Sequence, residues 1–309
     1  MNNNKILPEI SVVMPVFNSE KYLSIAIESV IEQSFENFEF LIIYDDSYDN
    51  SLEILESYAK VEPRIKIVKG NNEGISGALN NGINLSEGKF IARMDADDIC
   101  EKDRFKEQLN YIKKNDLDIC GSHSILINNL GHENGFFIAP ITHDSCSLAL
   151  AFEVPFMHPS VFIRKYFLDK HDLRYRKSEF IKAEDYDLWI RMHEKGAKFG
   201  NNDQVLIRYR VLDDSLSRLN NKKVIKDAKL LSNNFFKANY DLNFKNIDSI
   251  IEVSNSKERL LVGKFLITNF LKCRYKQIGV IKYLSFKDII YILISEILKK
   301  IRFAIAKLS

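Results

Sequence analysis

Apolar positions in the first half of the chain fall into two alternating rhythms. Ile10–Phe17 (ISVVMPVF) is a β-rich run that ends at Asn18-Ser19, residues suited to cap a following helix. From Glu20 to Gln33, Leu23, Ala26, Ile27, Val30 and Ile31 recur at helical spacing. Phe38–Tyr44 (FEFLIIY) predicts a second strand, and Asp49–Lys60 a second helix with Leu52, Leu55 and Ala59 inward. Ile65–Val68, Gly77–Leu85, Lys89–Met94 (KFIARM) and Arg104–Lys114 continue as strand, helix, strand, helix. This alternation predicts an α/β fold, a mostly parallel central sheet flanked by helices on both faces. In such sheets ligands bind where strand ends meet their loops.

After Asp118 the pattern becomes mixed. Strands are expected at Ile119–Ile127, Gly135–Ile138, Ser160–Ile163 and Val205–Val211, with a helix at Glu184–Lys195 between the last two. Beyond about Ser217 the periodicity is helical, best over Lys222–Tyr240, Lys257–Lys272 and Phe286–Lys307. The expected organisation is an α/β domain over residues 1–217 and a helical C-terminal region over 218–309. No internal repeat or low-complexity linker interrupts it.

Composition changes this picture little. The 309 residues are 46% apolar and 28% charged, as in ordinary globular proteins. A formal net charge of +2 gives no reason to expect a nucleic-acid partner. Cys100, Cys120, Cys146 and Cys273 form no CxxC pair, which argues against a zinc site or a disulfide framework. They read as buried or incidental thiols in a reducing cytoplasm. Met1–Pro8 lacks the basic start and apolar stretch of a signal peptide. No window approaches the ~18 uncharged apolar residues of a spanning helix. A soluble or membrane-peripheral protein on the cytoplasmic side is expected.

The chemistry lies in acidic loops after predicted strands. Asp95, Asp97 and Asp98 follow the fourth, Asp45-Asp46 the second, and Asn18 with Glu20 the first, all on one edge of the sheet. Three carboxylates within four residues repel one another unless a cation sits among them. A hard divalent ion held also by a diphosphate meets that need with oxygen ligands. An acidic turn or helix cap is the competing reading. Asp185 gives the second signal, because Asp185, Leu188, Trp189 and Met192 fall at i, i+3, i+4 and i+7 of one helix. A carboxylate at the head of an apolar stripe is disfavoured unless it has a task. Burial and a helix N-terminus push its pKa in opposite directions, so the spacing leaves the direction open.

The order of these motifs resembles the inverting family 2 glycosyltransferases of GT-A fold, over about Ile10 to Arg210. Ser11-Val12-Val13-Met14-Pro15-Val16-Phe17-Asn18 is similar to that family's opening strand, and Asp45-Asp46-Ser47 with Asp49-Asn50-Ser51 to its uridine-side loop. Asn72-Glu73-Gly74-Ile75-Ser76-Gly77-Ala78-Leu79-Asn80 resembles its third segment, Met94–Asp98 its metal motif, and Glu184-Asp185-Tyr186-Asp187-Leu188-Trp189 its late acidic motif. The second loop departs from the usual Asp-Asp-Gly-Ser-Thr-Asp: it is one residue shorter and lacks the glycine.

The resemblance implies a GT-A nucleotide-sugar-binding fold and a role for each motif. Pro15, Phe17, Asn18 and Glu20 would line the nucleotide pocket, and Asp46, with Asp45 beside it, would meet the uracil edge. Asp95 would lie near ribose and donor sugar. Asp97 or Asp98 would coordinate Mn2+ or Mg2+, with Asp97 favoured although spacing leaves both open. Asp185 would be the general base; Glu184 and Asp187 would orient its helix or contact the acceptor. His158 of His158-Pro159 is a weaker acceptor-side candidate, since a lone histidine is more often structural. Asn71–Gly74 reads equally as a donor-facing turn or a plain one. Arg208 and Arg210 either approach the diphosphate or face solvent.

The implied reaction moves a hexose or N-acetylhexosamine from a UDP-sugar to a glycan or lipid-linked saccharide, in capsule or lipopolysaccharide-type assembly. From Lys272 onward nine basic residues face only Asp288 and Glu296. A basic amphipathic helix of this kind suits peripheral contact with the inner face of a membrane, or packing on the core. Two alternatives remain open. A dinucleotide oxidoreductase would carry GxGxxG after the first strand, where Pro15-Val16-Phe17-Asn18 stands. A non-catalytic glycan-binding or scaffold protein would keep the sheet without needing Asp97 and Asp185 together.

Overall fold

The computed structural model describes residues 7–177, 183–212 and 221–239. Their elements run β1 (Ile10–Val16), α1 (Glu20–Ile31), β2 (Phe38–Tyr44), α2 (Ser51–Ala59), β3 (Ile65–Lys69), α3 (Gly74–Leu85) and β4 (Phe90–Arg93). There follow β5 (Ile99–Cys100), α4 (Arg104–Lys114), β6 (Ile119–Ile127), β7 (Glu133–Phe137), α5 (His143–Ala149) and a 3-10 turn at His158–Ser160. The last are β8 (Phe162–Arg164), α6 (Lys165–Lys170), α7 (Glu184–Glu194), β9 (Phe199–Arg210) and α8 (Asn221–Ala238). The predicted helices at Lys257–Lys272 and Phe286–Lys307 lie outside the described residues.

One sheet runs in the order β3-β2-β1-β4-β8-β6-β9-β5, with β7 added to β6. Strands β1 to β4 are parallel, and Val16 lies opposite Tyr44, Tyr44 opposite Lys69, and Val13 opposite Arg93. Their carboxyl ends therefore share an edge, and the loops after β1, β2, β3 and β4 meet there. Strand β8 reverses direction because it enters from that edge through the 3-10 turn; Arg93 N donates to Val161 O at 3.1 Å.

Alternation along the strands splits the core in two. Val13, Leu41, Ile43 and Ile91 face α3, α5, α7 and α8, while Val12, Met14, Phe40, Ile42 and Ala92 face α1, α2 and α4. Strands buried on both sides read as continuous apolar runs, as β1 and β2 do. Trp189 is the largest fully buried side chain and anchors α7 against Phe156 and Tyr175. Helix α8 joins the same face, with Phe235 edge-on to His193 at 5.1 Å.

The sheet is parallel over β1 to β4, as expected, and takes strands of both directions beyond it. Several local expectations need correction. Ser19 occupies the N-cap position of α1, yet its hydroxyl donates back to Phe17 O, and the Glu20 amide goes to Asp49 Oδ2 at 3.0 Å instead. Helix α3 starts at Gly74 and β9 at Phe199, earlier than the pattern suggests. Gly200, Asn201 and Asn202 belong to β9, where Asn201 is fully buried and donates to Pro140 O and Pro155 O. β5, α5 and α6 went unpredicted. Each is too short for periodicity, and α5 depends on a Thr142/Ser145 capping box.

Candidate active site

At the carboxyl edge, the loops after β1, β2 and β3 are stitched together by side chains. Asn18, in left-handed backbone at φ 48°, accepts from Tyr48 N through Oδ1 at 2.9 Å. Its own amide donates to Ser47 Oγ at 3.0 Å. Glu20 Oε2 accepts from both the backbone and side-chain nitrogens of Asn50. Asn18 and Glu20 thus brace the neighbouring loop, while Phe17 stands 54% exposed at the rim and Pro15 is half-buried.

Asp45 and Asp46 divide their work. Asp45 is buried and its Oδ1 accepts from Asn72 N at 3.0 Å. A Cβ on Gly70 would sit 2.1 Å from that oxygen, so any larger residue there would push the Asp45 carboxylate out of its place. Asp46 turns outward: its amide donates to Asn72 Oδ1, and its carboxylate takes Asn72 Nδ2 at 3.0 Å and Lys69 Nζ at 3.1 Å. Those two partners hold it below the usual carboxylate range, the Asn72 bond contributing most. It is ionised and fixed, with its side chain still half open to solvent.

The turn after β4 is electrostatically the opposite. One oxygen from each of Asp95, Asp97 and Asp98 lies within 4.8 Å of the others. Asp98 is buried; its Oδ1 accepts from Arg210 N at 2.7 Å, and its Oδ2 has no partner. Burial and then the charge of Asp95 push Asp97 up to about 6, and burial with Asp95 and Asp97 pushes Asp98 well above the usual range. Three all-oxygen groups this close, one with an orphaned buried oxygen, suit a hard divalent cation. Its charge would reverse the cause of those shifts.

Arg210 does not face solvent, the second of the two readings left open for it. It is buried, its Nε donates to Asp97 O at 2.8 Å, its Nη1 donates to Asn128 O, and its guanidinium lies 4.1 Å from the Tyr22 ring centroid. It is a clamp on the acidic turn. Arg208 pairs with Glu101 and Glu133.

Arg93 ties this turn to α7. Buried at the end of β4, it donates through Nη1 to Asp95, while its Nε has no partner. Asp185, half-buried at the head of α7, lies within electrostatic reach of both Arg93 and Asp95. Burial raises the Asp185 pKa and outweighs the 2.7 Å bond from Tyr186 N and the charge of Arg93. This settles the direction that spacing left open. Leu188, Trp189 and Met192 are buried as the helical spacing predicts. Asp187 is buried more deeply than Asp185 and is bound by Arg176 at 2.9 Å and Arg191 at 2.7 Å, which fixes the helix. Glu184 is half-buried beside it. His158 Nε2 meets the Tyr175 hydroxyl at 3.0 Å, and burial, then Arg93, keep its ring neutral.

Sequence reasoning missed Arg93, Asn72 as a two-sided clamp, Lys69 and Arg104. The signal for Arg93 was present: a charge at the end of an apolar strand. Arg104 is fully buried and donates to Arg93 O at 2.8 Å, a contact for which the sequence offers no cue.

A cation-suited triad beside a carboxylate of raised pKa is the outline of a metal-assisted group-transfer enzyme. The model of the Glycosyl transferase family 2 matches residues 11–172, and the chain belongs to that family: it is a glycosyltransferase. It is 31% identical over 281 residues to the O-antigen biosynthesis glycosyltransferase WbnJ of Escherichia coli, covering 88% of this chain and 96% of the relative. Among solved structures, S. aureus TarS 1-349 in complex with UDP-GlcNAc superposes with a TM-score of 0.57 at 18% identity, covering 92% of this chain and 79% of that one. The chain spans 46% of the longer TarS structure. The mannosyltransferase PcManGT from Pyrobaculum calidifontis, in complex with GDP-Man and Mn2+, superposes with a TM-score of 0.55 at 13% identity, covering 96% and 88%. These likenesses establish the GT-A fold.

Proposed function

We propose that the enzyme takes a UDP-sugar and transfers its hexose or N-acetylhexosamine, with inversion, to a hydroxyl of a glycan or lipid-linked saccharide in surface-polysaccharide assembly. The observation that carries this reading is the cluster of Asp95, Asp97 and Asp98 oxygens within 4.8 Å of one another, with Asp185, a carboxylate of raised pKa, in electrostatic reach of Asp95 and Arg93. Similarity to an O-antigen enzyme and to a fold seen with UDP-GlcNAc supports the donor and acceptor classes.

In this reading Asp46 accepts from the uracil edge, since a fixed carboxylate suits a ring N–H. Asp95 lies near ribose and donor sugar, and Asp97 and Asp98 hold Mn2+ or Mg2+. The bound cation supplies charge stabilisation for the departing diphosphate. The acceptor oxygen attacks the anomeric carbon from the face opposite the diphosphate while Asp185 takes its proton. The carbon–oxygen bond to the diphosphate breaks, and UDP leaves with that electron pair. Ionised Asp185 is the competent form, and its raised pKa makes it a stronger base near neutrality. The basic stretch from Lys272 supports a place on the cytoplasmic face of the membrane. Among the described residues, no helix is long and apolar enough to cross one.

A melting-temperature panel of UDP, GDP, CDP and dTDP sugars, with and without Mn2+, tests the reading, because a ligand of the native state raises stability. Stabilisation by UDP-sugars that requires Mn2+ is expected. Preference for another nucleotide would overturn the donor assignment.

A further inference from the structure

The geometry points to Tyr48 as the outer wall of the nucleobase subsite, a ring that stacks on the donor's base and sets how tightly the nucleotide is held. This rests on the donor reading above. Tyr48 is 91% exposed, and its ring meets Phe17, itself 54% exposed, edge-on at 6.4 Å and 77°. An exposed aromatic pair at a sheet edge leaves apolar faces in water for which the fold has no use.

The loop holds its shape without the Tyr48 ring. Tyr48 N donates to Asn18 Oδ1, Ser47 N to the Tyr44 hydroxyl at 3.1 Å, and Ser51 N to Asp49 Oδ1 at 3.1 Å. The backbone is fixed on both sides, and the ring is left over. Exposed polar residues Asn18, Glu20, Asp46 and Asn50 surround the pair, so the apolar area is too small and too wet for a lipid tail or a protein face. A flat ring with an N–H on its edge fits: the edge reaches Asp46, and the face lies on an aromatic.

Titration calorimetry on the full chain with Mn2+ separates the outcomes, using UDP and inorganic pyrophosphate as probes. Tyr48→Ala is expected to weaken UDP by about tenfold, the scale of one lost base–aromatic stack. Tyr48→Phe should stay within about twofold of wild type, and pyrophosphate binding should be equal in all three proteins. If wild type binds UDP and Tyr48→Ala binds it equally well, the Tyr48 role is overturned and the donor reading stands. Equal losses for UDP and pyrophosphate, or a Phe variant as weak as the Ala variant, also overturn stacking. A wild type that binds no uridine nucleotide overturns both.

Discussion

The loops after β1, β2 and β3 and the acidic centre after β4 sit on the same sheet edge, yet they treat carboxylates in opposite ways. Asp46 and Asp49 are supplied with partners and held below the usual range; for Asp49, burial works against this but bonds from Ser51 and Glu20 outweigh it. Asp98 is buried, Asp97 and Asp185 are half-buried, and the pKa of each is raised, chiefly by desolvation. The first region is electrostatically complete without a ligand. The second is not, which suits a site that takes up a cation and a proton. A fold that spends its polar residues bracing one cluster while starving the other identifies where the chemistry falls.

Removing the proposed proton acceptor should break the comparison most severely. Asp185→Asn keeps the shape and loses the base, and transfer should fall by about 10²–10⁴-fold with UDP binding unchanged. Initial rates, paired with calorimetry of UDP, check both halves. Full transfer activity in this variant would remove Asp185 as the base.

The cation side comes next. Asp97→Asn should weaken Mn2+ by at least about 10–100-fold, the loss common even for groups one step removed from a metal. Proton competition gives a sharper test. With Asp97 raised to about 6, its carboxyl is protonated below that pH and the cation must displace the proton. Affinity should therefore fall by at least about tenfold per pH unit below about 6, and Asp98, raised well above the usual range, extends the proton competition to higher pH. Stability of the cation-free protein runs the other way. Between ~3.9 and about 6 the native state holds a proton that the unfolded chain has lost, so this contribution declines as pH rises. His193 opposes it: burial, then His143, hold its pKa at about 4, so its contribution grows as pH rises towards ~6.5. The difference between wild-type and Asp97→Asn melting curves isolates the aspartate.

The two regions also differ in how much of them the sequence reveals. The bounds of β2 and α4 coincide with those predicted, because a strand buried on both faces and an amphipathic helix write their burial directly into the residue pattern. Acidic residues were legible as candidates in both regions; their surroundings were not. On a helical wheel Asp185 heads the inward stripe, yet Asp187 is the deeper carboxylate. Its burial depends on Arg176, from a loop eleven positions earlier, which periodicity cannot place. Arg210 became a clamp because parallel pairing of β9 with β6 carries it to Asn128 and the acidic turn. Asp45 and Asp46 look equivalent in the chain, and only the register of β2 against β3 turns one inward. Short elements such as β5 exist because their partner strand does.

Asn72 offers the mildest and most discriminating perturbation. Its side chain does nothing for the core; it grips the Asp46 amide and carboxylate at once, in left-handed backbone at φ 54° that asparagine tolerates. Asn72→Ala removes both bonds but leaves Lys69 to neutralise Asp46. If the loop's completeness matters only for order, UDP should bind about fivefold more weakly, the worth of one modest hydrogen bond. Transfer at saturating donor should be unchanged. Asn72→Asp supplies the contrast: it keeps an acceptor for the Asp46 amide and sets a second negative charge against the carboxylate. UDP affinity should drop further than in the alanine variant, and added salt should recover part of it by screening. A change in maximal rate, rather than in affinity, would mean that the two regions communicate and that the division between a braced loop and a poised centre is drawn in the wrong place.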